Sequence, residues 1–386
     1  MLPDALPWWG LLALSTAAFT DVMTDLLPAG LLPQMSSALH VPEARIGLLV
    51  SAFAVASALA AIPVTAMLRS LPRRPVLIAV LAGFGLFDAV TAVSPWYSLT
   101  FLARLAAGVM GGTLWSMLAG YAARMVPAGQ RGRAIAIVLA GITVALSGGI
   151  PAGTALAGVL GWRASFGLLA GLALLLVAWI RWQVPPVPGE PPDRRAPLRQ
   201  VASGPGIPAV LAVTALLLTG HQALYTYIAP LARGRTSLAL LVFGGATVAG
   251  LWITGIIADR YLRPALLAAL TTVAVAMLVL GLAARQPATL LTAVALWGAA
   301  FGGAPTLLQT ALVDASGPAR ADVATALQTT VYNIGIAAGS LAGGLVLGSV
   351  GAAGLPWVTL AFAAAALGTV ALAHRDAFPA RRGVIN

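Results

Sequence analysis

Twelve stretches of apolar residues, separated by short breaks that contain Arg, Pro, Gly or Asp, run along the chain. Each is about as long as the roughly 20 residues that an α-helix needs to cross the hydrocarbon core of a bilayer. We therefore predict an all-α membrane protein with twelve transmembrane helices. The predicted helices cover residues 8–32, 46–68, 75–93, 97–123, 133–158, 163–183, 207–231, 236–258, 263–283, 288–312, 322–348 and 354–373.

One break is longer than the others and rich in proline. Residues 184–206 read VPPVPGEPPDRRAPLRQVASGPG, with too little apolar surface to fold by themselves. This composition predicts a flexible cytoplasmic linker over residues 185–206. It separates an N-terminal six-helix bundle, residues 1–184, from a C-terminal six-helix bundle, residues 207–386.

The two halves repeat one another at an offset of about 190 residues. The offset aligns Gly108 with Gly298 and Gly112 with Gly302, and it aligns residues 65–77 with residues 255–267. Internal repeats are the usual way in which transporter folds are assembled. The pattern therefore predicts two pseudo-symmetric bundles.

The composition excludes an ordinary soluble protein. Only 9% of the residues are charged and 60% are hydrophobic, whereas soluble domains are about 25% charged. All 22 basic residues are arginine, and the net charge is +11. These arginines lie in short breaks and form no basic face, so no nucleic-acid partner is expected.

The arginines also predict the orientation in the membrane. With the N-terminus in the cytoplasm, sixteen arginines fall in inner breaks, five fall in outer breaks and one lies within a helix. This bias follows the positive-inside rule and predicts a multi-pass membrane protein with both termini cytoplasmic. The expected location is the bacterial plasma (inner) membrane. The expected assembly is a monomer in the lipid bilayer.

Five ionisable residues fall inside predicted spans, where each is costly unless it is paired or hydrated. They are Asp21, Asp25, Asp88, Arg104 and His221. Asp21 and Asp25 are four residues apart, so both carboxyl groups project from one face of helix 1. Two anions this close in a medium of low dielectric cannot both ionise easily, so the pair is a candidate proton carrier.

Arg104 has two candidate partners. At about 1.5 Å per residue, Asp25 and Arg104 both lie roughly 10 Å from the outer ends of their predicted helices, so they can meet. A pair of Asp25 and Arg104 that separates when Asp25 takes up a proton would be a two-state switch. The alternative is a static bridge between Arg104 and Asp88, which lies at a similar depth on the preceding helix.

Uncharged polar and aromatic side chains inside the predicted spans suit a cavity for an amphipathic solute. His221 lies near the middle of helix 7, and an unperturbed imidazole titrates near neutral pH. Simple helix packing is the alternative role for each residue of the set. The candidate substrate-binding residues are Trp115, His221, Gln222, Tyr225, Trp297, Phe301, Gln309, Tyr332 and Asn333.

Helix 5 contains the run GGIPAGTALAG at residues 148–158. Its glycines permit close helix approach, and Pro151 leaves a backbone carbonyl without its helical donor. A flexing gate at Gly149, Pro151 and Gly153 is one interpretation, and simple packing of small residues is the other.

Other kinds of chemistry have no signature in the sequence. Cysteine is absent, and no metal-ligand spacing, nucleotide-binding loop or nucleophile with a base stands out. We therefore expect no metal, no cofactor, no ATP drive within the chain and no enzymatic activity.

Five stretches together carry a family resemblance that covers nearly the whole chain. They are TDLLPAGLLP at 24–33, FLARLAAGVMGGTLWS at 101–116, GGIPAGTALAGVLGWRASF at 148–166, GHQALYTYIAP at 220–230 and LQTTVYNIGIAAGSLAGG at 327–344. The chain resembles the major facilitator superfamily, and within it the drug:proton antiporter group that includes arabinose-efflux and chloramphenicol-resistance permeases.

The resemblance implies two six-helix bundles, alternating access and export of a small solute against proton entry. It places Asp25 on the acidic position before the Pro-x-Gly of helix 1, and Arg104 on the motif arginine of helix 4. Gly149, Pro151 and Gly153 fall on the antiporter motif of helix 5. Asp88 departs from the family, since a neutral polar residue is expected there.

The resemblance also implies gating residues in cytoplasmic loops. The family motif Gly-x-x-x-Asp-Arg-x-x-Arg is kept in the second half, where its charged members are Asp259, Arg260 and Arg263. In the first half Arg69 replaces the aspartate, and only Arg73 and Arg74 match. The first-half loop therefore departs from the usual charge latch.

The functional prediction is a proton-coupled secondary transporter that exports a neutral or weakly cationic drug, sugar or nucleoside, as in multidrug resistance. Its partners would be this solute, protons and the bilayer. A facilitator or proton symporter that imports a small solute is the alternative. A membrane-embedded enzyme or scaffold is a remote third reading, for which Asp21 with Asp25 is the only candidate constellation.

Overall fold

The computed structural model of the chain describes residues 6–61, 63–68, 71–127, 130–188, 202–316, 321–373 and 377–378. Within these ranges twelve helices are long and apolar enough to cross a membrane, which confirms the predicted fold class. The first six are α1 (Trp8–Leu39), α2 (Glu43–Ala61), α3 (Arg73–Val93), α4 (Tyr97–Arg124), α5 (Arg133–Leu160) and α6 (Trp162–Gln183). The last six are α7 (Ile207–Tyr225), α8 (Thr236–Ile257), α9 (Tyr261–Ala283), α10 (Pro287–Ser316), α11 (Leu327–Ser349) and α12 (Ala352–Leu372).

The first helix is longer than the sequence predicts. The apolar pattern ends it at residue 32, before Pro33, yet α1 continues to Leu39 and contains both Pro28 and Pro33. A proline inside a helix removes one N–H donor and leaves the carbonyl four residues earlier without its partner. At Pro28 that carbonyl belongs to Thr24 and takes its hydrogen bond from another helix, so the helix persists there.

The second predicted span is described as two helical stretches, Glu43–Ala61 and Pro63–Leu68. A turn near a proline divides another predicted span. The seventh span ends at Tyr225 and resumes as Ile228–Ala232. Pro230 cannot donate a backbone hydrogen bond to the turn between these two segments, so a continuous helix is not completed there.

The chain divides into two compact units, Met1–Asp193 with α1 to α6 and Arg194–Asn386 with α7 to α12. The boundary falls within the proline-rich stretch. The beginning of that stretch is ordered against the first unit: Val187 is 6% exposed, and its carbonyl accepts a hydrogen bond from the N–H of Arg73. The predicted flexibility therefore does not apply to residues 185–188, and residues 189–201 lie outside the described part of the chain.

A tight crossing of α2 and α4 organises the first unit. A Cβ atom on Gly108 would collide with the carbonyl oxygen of Phe53, and one on Gly112 would collide with the carbonyl oxygen of Ser57. The two glycines therefore let the helix backbones touch. Any larger residue at either position would push the helices apart.

The second unit repeats this crossing between α8 and α10. A Cβ atom on Gly298 would meet the carbonyl oxygen of Phe243, and one on Gly302 would meet that of Thr247. Glycines and partners follow the same offset, because 298 − 108 and 243 − 53 both equal 190. The repeat read from the sequence is thus a repeat of helix contacts.

Candidate functional site

A buried polar face runs along two turns of α1. Thr20, Asp21, Thr24 and Asp25 are 0%, 1%, 0% and 9% exposed. Residues at this spacing lie on one side of a helix, so the face points in one direction. Because buried carboxyl groups are costly without partners, the residues that surround this face determine its chemistry.

Arg104 extends from α4 to this face and is fully buried. One terminal guanidinium nitrogen donates to the carbonyl oxygen of Thr24 at 2.5 Å, and the other donates to the carbonyl oxygen of Asp25 at 3.0 Å. The guanidinium carbon lies 4.7 Å from the ring centroid of Phe53 on α2. Pro28 explains the first contact, because it has no N–H to donate to the Thr24 carbonyl.

Neither predicted ion pair of Arg104 is present. Among the described residues, no guanidinium nitrogen of Arg104 lies within 4.0 Å of a carboxylate oxygen of Asp25 or Asp88. Asp25 Oδ1 and Arg104 Nε are both buried without a hydrogen-bond partner. Arg104 thus meets α1 at the predicted place, but it binds the backbone there and leaves the carboxyl group of Asp25 unpaired.

The longer α1 also changes the predicted depth of Asp25. Asp25 lies fourteen positions before Leu39, the end of α1, so its carboxyl group lies about 21 Å from that end and not roughly 10 Å. The roles of Asp21, Asp25 and Arg104 in proton coupling stay predictions.

Asp21 lies one turn away, and its Oδ1 is buried without a hydrogen-bond partner in the described part of the chain. The indole of Trp115, on α4, lies near this carboxyl group. Asp21 Oδ1 lies 2.8 Å from the position that a Cβ atom on Gly111 would occupy. The absence of a side chain at Gly111 makes room for this carboxyl group. Trp115, predicted to bind solute, is therefore a direct neighbour of the acidic pair.

Asp88, on α3, reaches the same face from another side and is fully buried. The Thr24 hydroxyl donates to Asp88 Oδ2 at 2.7 Å. Thr24 therefore contacts Asp88 through its side chain and Arg104 through its carbonyl. The sequence analysis missed Thr24 and Phe53. Thr24 had a signal, because it lies four residues before a proline inside a helix.

The gate candidates of α5 lie against α1. Residues Ala145–Gly149 form a π-helical turn, and Pro151 follows it after one residue. A Cβ atom on Gly149 would crowd Phe19 and Met23, and one on Gly153 would crowd Leu27 and Met23. Gly149 and Gly153 therefore let α5 pack closely against α1. π-Helical turns are frequent at functional sites, and the gating role stays a prediction.

A cluster of five rings lies in the second unit. This ring cluster consists of His221 and Tyr225 on α7, Phe243 on α8, and Trp297 and Phe301 on α10. The His221 and Phe301 rings stack with centroids 3.6 Å apart and planes 9° apart. Buried atoms without a hydrogen-bond partner in the described part of the chain include His221 Nδ1, the Tyr225 hydroxyl and Trp297 Nε1. Four predicted binding residues are thus brought together.

The ring cluster occupies the place that the acidic face occupies in the first unit. By the offset of 190, Phe243 corresponds to Phe53 and Phe301 corresponds to Gly111. Gly111 leaves room for Asp21, whereas Phe301 fills the equivalent space with a ring that stacks on His221. The two units therefore share a backbone frame and differ in its chemistry. The same offset identifies Phe243, which the sequence analysis missed.

Four other predicted binding residues lie elsewhere. The Gln222 amide donates to the Thr226 hydroxyl at 2.9 Å, and the Asn333 amide donates to the carbonyl of Thr329 at 3.2 Å. Gln309 is exposed, and Tyr332 is partly buried. The described hydrogen bonds and ring contacts place none of the four in the ring cluster.

Two of the gating candidates cap helix ends within their own units. Arg74 on α3 donates to the carbonyl of Arg181 at 2.8 Å, near the end of α6. Arg263 on α9 donates to the carbonyl of Ala371 at 3.4 Å, near the end of α12. A cation at a helix C-terminus interacts favourably with the helix dipole. The structure thus assigns both arginines a structural contact.

The other gating candidates are Arg73, Asp259 and Arg260. Arg73 is 8% exposed. The side chains of Asp259 and Arg260 lie outside the described part of the chain. A latch at the inner face stays a prediction for all five charged residues.

Twelve spanning helices in two units that repeat one helix crossing define an internally duplicated, polytopic membrane protein. Among the described residues no group of His, Asp or Glu could hold a metal ion. The model of the Major Facilitator Superfamily matches residues 14–235 of the chain. The chain belongs to this superfamily, and it is a secondary transporter and not an enzyme.

Two solved structures are similar over almost their whole length. The human organic anion transporter MFSD10 (TETRAN) matches with a TM-score of 0.70 and 18% identity, over 95% of this chain and 100% of that one. A bacterial homologue of the human lysosomal transporter Spinster, in an inward-facing and occupied conformation, matches with a TM-score of 0.74 and 18% identity, over 99% of each chain. At 18% identity, this structural similarity establishes the fold alone.

Proposed function

We propose that the protein exports a small organic solute across a bacterial plasma membrane in exchange for protons, as a monomer that works by alternating access. Both termini lie in the cytoplasm in this proposal. The main support for this proposal is a pair of hydrogen bonds from Arg104 to the carbonyl groups of Thr24 and Asp25. They lie beside the unpaired carboxyl group of Asp25. This arrangement suits a switch with two sets of partners for one guanidinium group.

In the first state Asp25 carries a proton and is neutral. Arg104 is then satisfied by the α1 backbone and needs no carboxylate. When Asp25 releases the proton, an unpaired carboxylate is left in a buried site, which costs several kcal/mol. Arg104 lowers this cost by turning towards the carboxylate and releasing the carbonyl groups that Pro28 leaves without a helical donor.

The released turn of α1 provides the conformational step. Hydrogen bonds to charged groups contribute about 1.5–3 kcal/mol each, so two bonds from Arg104 hold this turn firmly in the protonated state. Proton entry from outside favours the inward-facing state, and the proton leaves to the cytoplasm as the solute binds. The neighbouring π-helical turn of α5 gives the adjoining helix a place to adjust.

One proton per cycle supplies enough free energy for export. A charge that moves through 100 mV contributes about 2.3 kcal/mol, and a difference of one pH unit adds about 1.4 kcal/mol. The sum of about 3.7 kcal/mol sustains a solute gradient of several hundredfold.

The proposed class of exported solute rests on aromatic and amide side chains in the second unit. The ring cluster provides a rigid aromatic wall, and Gln309 is an exposed amide on α10. Aromatic walls with a few polar groups suit neutral or weakly cationic organic molecules. We propose a drug, a sugar or a nucleoside of this kind as the exported solute.

The test uses the purified protein in proteoliposomes that contain a pH-sensitive dye. Chloramphenicol, arabinose, a nucleoside and a lipophilic cation are added in turn to the wild type and to Asp25→Asn. A solute-triggered proton flux in the wild type that is lost in Asp25→Asn supports the proposal. Solute movement without any proton flux would show a facilitator. Asp314→Asn, at an exposed aspartate of α10, is the matched control.

A further inference from the structure

The mechanism above uses Asp25 and Arg104, but it leaves out a buried carboxyl group on α3. Asp88 on α3 is 0% exposed. Its Oδ2 accepts one hydrogen bond, from the Thr24 hydroxyl at 2.7 Å, and its Oδ1 is buried without a partner. A carboxylate normally accepts several hydrogen bonds when it is ionised inside a protein. One donor is too few for a permanent anion.

The charged groups around Asp88 do not balance it. The helices packed on α3 are α1, α4 and α6. The charged residues that interact with it are Asp21 from α1, itself an acid, and Arg104 from α4. The second acid of α1, Asp25, interacts with the same Arg104. The sequence of α6 has Arg163 and Arg181 only, at its two ends, and Arg163 donates to the carbonyl of Ser94. Three carboxyl groups thus share one guanidinium group.

That guanidinium group is connected to Asp88 through one residue. Arg104 donates to the Thr24 carbonyl, and the Thr24 hydroxyl donates to Asp88. The Nε atom of Arg104 is buried and has no partner in the described part of the chain. A change in the charge of Asp88 therefore acts on both groups of Thr24 and on the cation that holds it.

We propose that Asp88 is a second proton-carrying residue of the transport cycle, and that Arg104 exchanges between the α1 carbonyl groups and the Asp88 carboxylate. In the protonated state Asp88 is neutral, and Arg104 holds the backbone of α1. When Asp88 gives its proton to water, the new carboxylate attracts Arg104. Arg104 then releases the carbonyl group of Thr24. Asp25 and Asp88 then control the same guanidinium group from two sides. The inference rests on the proposed proton coupling.

The second unit has no acid at the position equivalent to Asp88, which supports this assignment. Leu278 stands at the position of Asp88 in the second unit by the offset of 190, and it is 42% exposed. The repeat therefore does not require a polar residue at this point of the frame. An acid placed where packing alone would accept leucine needs another explanation, and a proton site provides one.

The test is infrared spectroscopy of the full-length protein in lipid bilayers, because the C=O stretch of a protonated carboxyl group is separate from the bands of carboxylates. Spectra are taken from acid to alkaline pH. Among the carboxyl bands that disappear as the pH rises, we expect one to be missing in Asp25→Asn and another to be missing in Asp88→Asn. Asp314→Asn should leave the bands of Asp25 and Asp88 in place. Asp88→Glu keeps the second carboxyl group and should move its band, which secures the assignment.

A band of Asp88 that persists unchanged over the whole range, or is absent throughout, would overturn the inference, since a static residue does not exchange its proton. Asparagine has nearly the shape of aspartate and can still accept the Thr24 hydrogen bond, so the variant is expected to fold. The two proposals fail separately. If only the Asp25 band titrates, Asp88 is structural; if only the Asp88 band titrates, the role proposed for Asp25 is wrong.

Discussion

Arg104 donates a hydrogen bond to the carbonyl oxygen of Thr24, at the turn of α1 that Pro28 deprives of a helical donor. A cation from α4 thus completes the backbone of α1. The geometry needs a planar fork, because the second terminal nitrogen binds the next carbonyl, that of Asp25. Lysine has one compact ammonium group and cannot reproduce a two-pronged contact.

Arg104→Lys is therefore expected to abolish most of the coupled proton flux, by tenfold or more, and to destabilise the protein by about 1–3 kcal/mol. Proteoliposome fluxes and thermal unfolding in detergent measure the two effects. Arg45→Lys is the control, because Arg45 is an exposed arginine of α2. An Arg104→Lys variant that matches the wild type in both assays would show that the fork is not needed.

Gly111 tests the space around the acidic face. An added Cβ atom would lie 2.8 Å from Asp21 Oδ1 and 2.7 Å from an atom of the Phe53 ring. Gly111→Ala should therefore shift both groups, lower the coupled flux and cost about 1–3 kcal/mol. Gly120→Ala lies on the same helix with nothing within 4 Å of the new atom, so its stability should equal or slightly exceed that of the wild type. Equal unfolding temperatures for the two variants would contradict this picture.

The repeated crossing makes the same kind of prediction in the second unit. Gly298→Ala forces a Cβ atom against the carbonyl oxygen of Phe243, where backbone must move. We expect a loss of about 1–3 kcal/mol, whereas Gly245→Ala on α8, with open space around the new atom, should be tolerated. Thermal unfolding in detergent distinguishes them. If Gly298→Ala unfolds like the wild type, the α8 and α10 backbones are not in the described contact.

Substitution of His221 distinguishes a packing role of its ring from a proton-carrying role. Its imidazole stacks on Phe301, and its Nδ1 has no hydrogen-bond partner in the described part of the chain. His221→Phe keeps a flat ring, so stability should change by less than about 1.5 kcal/mol and proton coupling should remain. Trp297→Ala removes a buried ring and should cost about 3–5 kcal/mol. Loss of coupling in His221→Phe with normal stability would assign the proton to this histidine.

The spans were predictable because each has an apolar length that only a bilayer requires. Their ends were not, since prolines act through partners that the sequence does not show. Pro33 lies within α1, whereas Pro230 accompanies a break after α7. Only at Pro28 do the described contacts show a donor to the freed carbonyl, namely Arg104 from α4.

The sequence predicts which charged residues form the site, but it does not predict which atoms they contact. An arginine inside a span had to meet something polar on a neighbouring helix, and it meets α1 beside Asp25. A search among side chains alone finds only carboxylates as its partners. The acceptors are carbonyl groups, and Pro28 was the one residue that marked the carbonyl of Thr24.

The central claim is that protonation of Asp25 couples solute movement to proton movement. Its most direct test uses the solute found in the proteoliposome screen and compares two modes in the wild type and Asp25→Asn. One mode is exchange of labelled for unlabelled solute without a pH gradient, and the other is accumulation driven by a pH gradient. We predict that Asp25→Asn keeps the exchange and loses the accumulation, since a permanently neutral side chain permits the solute cycle but carries no proton. An Asp25→Asn variant that still accumulates solute as the wild type does would contradict the account.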